Sequence, residues 1–333
     1  MATYKEVIGT SITNIAGDSP TTVDGDIWYN SSATNFKFNG SAQTGSWATG
    51  GNMTDGRADL GGVGTQTAAL AFGGESAANA AEVRTEEYNG TAWTNGGNMT
   101  TAKEGPGNGG AGTQTAGLAF GGRTAPPRVS LNATEEYNGS SWTNGGNLGT
   151  ARYFLGGAGT QTAGLAFGGA PSAGPGAPVN STEEYGGTSW TAGGNLGTAR
   201  SSLAGVGTQT AGLAIAGSPG GGNETNASEE YNGTAWTAGG TMNTPLRYLA
   251  GCGLQTAALA FGGLGGSGIP SQTEEYDGSS WTTGGALIQP RLRLGGAGTQ
   301  TAGLGFGGAT APEQQTEEYT AGAAAGVRTI TTT

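Results

Sequence analysis

Three features of this chain have the residue types and spacing to do chemistry. Pairs of glutamates recur at Glu86–Glu87, Glu135–Glu136, Glu183–Glu184, Glu229–Glu230, Glu274–Glu275 and Glu317–Glu318, and they account for half of the 24 acids. Paired carboxylates suit glycoside hydrolysis or calcium binding. A hydrolase needs one unique pair converging on one bond, whereas these lie at regular intervals. The expected role is therefore structural: one Glu of each pair meets an arginine from the column Arg57, Arg152, Arg200 and Arg291, with Lys103 and Arg247 displaced from it. A ring of carboxylates holding calcium is the alternative, and no cofactor is otherwise expected. The second feature is six glutamines flanked by threonine, from Gln66 to Gln300. They are expected to hydrogen-bond backbone near an axis rather than to coordinate an ion. The third is a single cysteine, Cys252, standing where other copies carry Ala or Val ("GCGLQT" against "GAGTQT"), so it reads as a small core residue.

Other chemistry is set aside. The chain has no histidine, so zinc sites and the usual acid–base side chain are missing. "GGLGGSG" (262–268) lacks the Gly-Lys-Ser/Thr ending and following helix of a phosphate loop. Serines in "GTSW" and "GSSW" have no histidine base, and Asp24 and Asp26 are too few for a calcium loop. An enzyme is not expected. Net charge is −11 with no basic stripe, so a nucleic-acid partner is not expected. No long apolar run marks a membrane span, and the first residues lack the apolar segment of a signal peptide.

What positions these residues is a repeat. Gln66, Gln114, Gln161, Gln209, Gln255 and Gln300 recur at steps of 48, 47, 48, 46 and 45. Trp47, Trp93, Trp142, Trp190, Trp236 and Trp281 keep a similar step, as do the tyrosines that follow each Glu pair. With 70 Gly and 12 Pro the composition alone would suggest low complexity, but the period and the 25 aromatic residues argue for a folded array. No segment has helical periodicity. In the unit 152–200 four strands are expected, around Gly159–Thr162, Leu165–Gly168, Thr182–Tyr185 and Ser189–Ala192. The last two are joined by Asn-Gly-type dipeptides that suit a tight hairpin. Small four-stranded sheets must stack to bury their faces, and closing the stack removes its exposed ends. The expected fold is all-β, a six-bladed β-propeller with an N-terminal extension and a short C-terminal tail.

The double glycine Gly168–Gly169, then Tyr185, Trp190 and Arg200, resemble the kelch repeat, over roughly residues 47–320. The wording "TQTAGLAFGG…TEEYNGSSWT" is similar to kelch-like proteins encoded by marine phages, cyanophages included. The resemblance implies a phage virion structural protein, assembled in the host cytoplasm. Its propeller would be a tail-fibre or receptor-binding module that recognises a host cell-surface receptor or glycan. A decoration or connector protein with the propeller as a rigid spacer, and a cellular adaptor binding a peptide, are the alternatives.

Closure follows from an irregularity. The last unit has no Trp after Tyr319, while 35–53 carries Trp47 with no strands before it. The strand at 45–49 is therefore expected to pair with 316–319 and latch the ring. The expected domains are an attachment or oligomerisation arm over 1–30, a propeller over 31–320 and a tail over 321–333. Trp28 and Tyr29 are the candidate arm contacts with other virion proteins. The tail either adds a strand to a neighbouring copy or frays.

In a four-stranded meander, the one-to-two and three-to-four turns share one face. The two-to-three loops and blade-to-blade links share the other. The first set is nearly constant within this chain and the second diverges, so binding is expected on the second. Its candidate contacts are Arg84, Arg123, Arg128, Tyr153, Phe154, Tyr248 and Arg293.

Overall fold

The computed structural model describes residues 13–15, 27–30, 32, 35–40, 44–105, 110–171, 177–309, 313–322 and 326–329. It divides into two compact units, one formed by Met1–Gly45 with Gly322–Thr333, the other by Ser46–Ala321.

The larger unit is a six-bladed β-propeller. Blade 3 shows the pattern: antiparallel strands Gly156–Thr160, Ala163–Phe167, Thr182–Tyr185 and Trp190–Ala192 pair in that order. The first strand starts three residues before the expected position, and Gln161 falls in the turn that follows it. The innermost strands of blades 1 to 6 are Gly61–Thr65, Ala111–Thr113, Gly156–Thr160, Ala204–Thr208, Ala250–Leu254 and Gly295–Gly298. They converge so closely that a side chain has no room: a Cβ on Gly205 would lie 2.6 Å from the backbone of Gly157. Each second strand supplies the apolar core, such as Leu165 and Phe167, both fully buried.

Blade 6 is completed from the other end of the chain. Strand Ser46–Thr49 pairs antiparallel with Thr316–Thr320, Trp47 opposite Tyr319. The latch is thus one strand, as its Trp predicted.

Four contacts recur from blade to blade. Each Trp indole donates to the Thr or Ser that opens the third strand of the preceding blade, as Trp142 Nε1 does to Thr85 Oγ1 at 2.8 Å. Each Tyr hydroxyl donates to the second Glu of the preceding pair, as Tyr137 does to Glu87 at 2.5 Å. Each Gln amide donates to two carbonyls of the preceding blade, as Gln161 does to Gly117 and Tyr137. The first Glu of the pair is buried against a cation within its own blade: Arg57–Glu86, Lys103–Glu135, Arg152–Glu183, Arg200–Glu229 and Arg291–Glu317, at 2.9–3.1 Å. Two expectations change here. Lys103 belongs to the column after all, because blade 2 carries extra link residues after it. Arg247 does not belong: Leu246 takes that place in blade 5, and Glu274 instead accepts from Asn243 N and Nδ2 and from Thr244 N.

The smaller unit corrects the expected boundaries. Strand Asn35–Gly40, assigned above to the propeller, pairs with Ile27–Asn30 and with the C-terminal strand Gly326–Thr329. Thr13–Ile15 completes this four-stranded sheet by pairing parallel to Ile27–Asn30. The propeller therefore begins at Ser46, not at residue 31. "NFKFNG" imitates the repeat's third strand, but it pairs within the smaller sheet instead. The tail neither frays at 326–329 nor needs a neighbouring copy, because Asn35–Gly40 of its own chain offers an edge. Trp28 and Tyr29 lie in the strand Ile27–Asn30, opposite Lys37 and Phe36. Asp24 and Asp26 lie outside the described residues.

Candidate functional site

The site is built on the blade-to-blade links. Two residues after each position of the buried cation column the chain turns sharply, at Asp59, Gly105, Phe154, Ser202, Tyr248 and Arg293, all with φ between 52° and 58°. The turn lets each residue donate its backbone N–H to the carbonyl of the equivalent residue one blade earlier. Gly105 donates to Asp59, Phe154 to Gly105, Ser202 to Phe154, Tyr248 to Ser202, Arg293 to Tyr248 and Asp59 to Arg293, at 2.8–3.2 Å. Six hydrogen bonds thus form a closed hoop around one mouth of the propeller.

The hoop costs strain. A side chain at positive φ is disfavoured by roughly 1–2 kcal/mol, and glycine avoids the penalty. This chain uses glycine freely, yet only blade 2 has one here. Only two further non-glycine residues among those described, Asn79 and Ala216, have positive φ. Five blades therefore keep unlike side chains at an unfavourable backbone position. Strain held in this manner points to use of the side chains themselves. Gly105 also has a positive reason: a Cβ there would lie 2.6 Å from the Phe154 ring.

A second circle surrounds the hoop. The residue before each hoop position bridges to the two-to-three loop of its own blade: Ala58 with Glu75, Glu104 with Arg123, Tyr153 with Ala170, Ser201 with Ser218, Arg247 with Leu264 and Leu292 with Ala309. No two blades supply the same pair, so the mouth has sectors.

Blades 6, 1 and 2 form a charged sector of alternating sign. Arg293 meets Asp59 at 3.3 Å and Glu75 at 4.0 Å; Arg128 bridges Glu75 at 2.6 Å and Glu104 at 2.8 Å; Arg123 pairs with Glu104. Burial pushes the Asp59 carboxyl up to about 7, against the pull of Arg293 and Arg123. Burial also raises Glu104, again opposed by Arg123. Glu104 Oε2 and Arg293 Nε are shielded from solvent and hydrogen-bond to no protein group. Such atoms are uncommon in folded proteins and mark polar capacity unused by the fold.

Blades 3 and 5 form an aromatic sector. Phe154 meets Tyr153 at 4.8 Å and Tyr248 edge-on at 5.3 Å between ring centroids. Guanidinium groups lie over these rings: Arg123 is 4.6 Å from Tyr153 and Arg293 is 4.9 Å from Tyr248. Blade 4 gives only small residues, Ser201, Ser202, Ser218 and Gly220. Above these small residues opens a cavity of about 280 Å³, walled by the aromatic sector, Arg123, Arg128, Arg247 and Arg293.

Six of the seven candidate contacts thus meet at one cavity. Arg84 does not. It sits beside the third strand of blade 1, half exposed, paired with Asp55 at 2.5 Å and Glu82 at 3.5 Å. Sequence reasoning missed Asp59, Glu75, Glu104, Arg247 and the three serines. The signal for Asp59 and Ser202 was present in their register, two residues beyond the buried arginine. Cys252 is buried and does not line this cavity, its thiol pushed up to about 12 by burial. Among the described residues no three acidic or cysteine side chains are grouped to hold a metal.

No family model matches the chain, and no curated protein does. Solved structures do. The structure of YjhT matches at a TM-score of 0.65 and 14% identity, over 80% of this chain and 95% of that one. In all 273 solved chains match, so the fold is widely shared and does not by itself assign an activity.

Proposed function

We propose that this protein is a non-enzymatic binding propeller of a phage-type virion, and that its mouth holds a glycan of the host surface. The observation that carries the reading is the hoop. Five unlike side chains are kept at a strained backbone position around a cavity, in a chain whose other repeated positions are nearly uniform. The cavity's chemistry suits a sugar. Arginine forks bind vicinal oxygens, tyrosine and serine hydroxyls both donate and accept, and ring faces pack on C–H surfaces. The mouth carboxylates are tied to arginines rather than set as a free acid and base, which favours binding over hydrolysis. The kelch-like repeat and the wording shared with marine phage proteins support the virion setting. The N-terminal sheet bearing Trp28 and Tyr29 is then assigned to neighbouring virion proteins.

The test is an array of defined bacterial-surface and common glycans probed with the full chain. Binding to a subset is expected, with Tyr248→Ala weakening it at least about tenfold, as removal of a central aromatic contact does. A chain that binds no glycan, or binds equally well after Tyr248→Ala, overturns the reading and leaves the propeller as a spacer.

A further inference from the structure

Resting on that reading, we infer that the mouth site continues outward into the notch between blades 4 and 5, and that the ligand is an oligosaccharide chain rather than a single sugar. The notch is a second cavity, of about 580 Å³, between the two-to-three loops of these blades. It shares a wall with the mouth. Arg247, which lines the mouth, pairs with Glu224, which lines the notch, at 3.1 Å. Gly220 of the mouth and Asn223 of the notch close one tight turn, Asn223 N donating to Gly220 O at 3.2 Å. The mouth falls just under the range of ~300–1,000 Å³ usual for a small-molecule site, and the notch lies within it.

The notch exists where the repeat departs from itself. In blade 5 the buried position of the arginine column holds Leu246, so the arginine moves one residue on and stands in the shared wall as Arg247. Its ion pair divides two compartments that a chain-like ligand would cross. The lining is neither cationic nor aromatic. Asn223, Gln272, Ser267 and Glu224 supply amide, hydroxyl and carboxylate groups, and Pro245 and Ile269 supply apolar surface. Amides and carboxylates bind adjacent hydroxyls, and aliphatic surface packs on a sugar's C–H face. An extended peptide would instead need a free strand edge or a deep apolar pocket, and the loops of the notch offer neither: Gly265 and Gly268 pair with each other.

Gly266 gives a clean probe. It lines the notch, its φ is not positive, and a Cβ there meets nothing within 4 Å. Gly266→Trp should fill the notch without straining the blade. The experiment measures the full chain, Gly266→Trp and Tyr248→Ala against linear oligosaccharides of one to six residues printed from defined bacterial-surface polysaccharides, with unglycosylated peptides as controls. The native chain is expected to bind the longer members at least tenfold tighter than single sugars. Gly266→Trp should abolish that length dependence and keep single-sugar binding, while Tyr248→Ala weakens every length. Equal affinity at all lengths, or a length dependence that survives Gly266→Trp, overturns the extension and leaves the mouth reading intact. Length-dependent binding untouched by Tyr248→Ala overturns both the mouth reading and the continuity of the two cavities. Binding of the peptides alone, or of nothing, overturns both readings.

Discussion

The belt between blades and the mouth at the end of the links obey opposite rules. In the belt every blade makes the same bonds: Trp to Thr or Ser, Tyr to Glu, Gln to two carbonyls. At the mouth every blade has the same backbone turn and a different side chain. Uniformity follows from packing, since each blade sees the same neighbour on the same side and one solution serves six times. Difference at a fixed backbone position has no such origin. The contrast separates what the ring needs to close from what it presents.

The largest test removes a cation of the buried column, which repeats from blade to blade like the belt. Arg57→Ala leaves Glu86 buried beside no guanidinium, and breaking a buried pair typically costs ~3–5 kcal/mol. Chemical denaturation should show that loss, and a change under 1 kcal/mol would mean that the column is dispensable, as blade 5 manages with Leu246. Next comes Tyr137→Phe. It deletes a hydrogen bond to the Glu87 carboxylate and should lower stability by about 1–3 kcal/mol. Binding should not change, since this Tyr lies in the belt.

The mouth should respond in the opposite sense. Ser202→Gly relieves positive φ at a buried hydroxyl and should raise stability by about 1 kcal/mol. A loss of stability would show that Ser202 belongs to the belt after all. A further test is one of pH. Asp59 ionises near pH 7 in the folded chain, against an ordinary value of 3.8, because burial opposes its charge despite Arg293 and Arg123 nearby. Between those values the folded state holds a proton that the unfolded state has released. The contribution of Asp59 is therefore full below about pH 4 and declines as pH rises to about 7. Denaturation midpoints at pH 5 and pH 8 should differ less in Asp59→Asn than in the native chain.

Much of this was legible because the repeat exposes it. Strand Thr182–Tyr185 and the latch strand around Trp47 follow from aligned Tyr and Trp residues. The face carrying Tyr153, Phe154 and Tyr248 follows from the meander. The hoop was hidden by its own side chains. Positive φ is read from glycine, and Asp59, Phe154 and Arg293 carry no such mark; only Gly105 does. Of the carboxylates that neutralise Arg123 and Arg128, Glu104 belongs to their own blade but Glu75 comes from the preceding one, and proximity between blades is not written in spacing. The expected start at residue 31 failed because the residues of 35–40 do not say which sheet has a free edge for them.

The latch also sets how the molecule bears load. Residues Ser46 and Thr320 face each other at one end of the closing pair of strands, and Lys37 and Thr329 do so in the terminal sheet. Tension applied across Ser46 and Thr320 would enter the closing pair at one end and peel it one hydrogen bond at a time, instead of shearing all at once. The seam is therefore soft to a pull that separates these two residues. If the chain is held by its N-terminal segment and loaded through its mouth, that seam is spared.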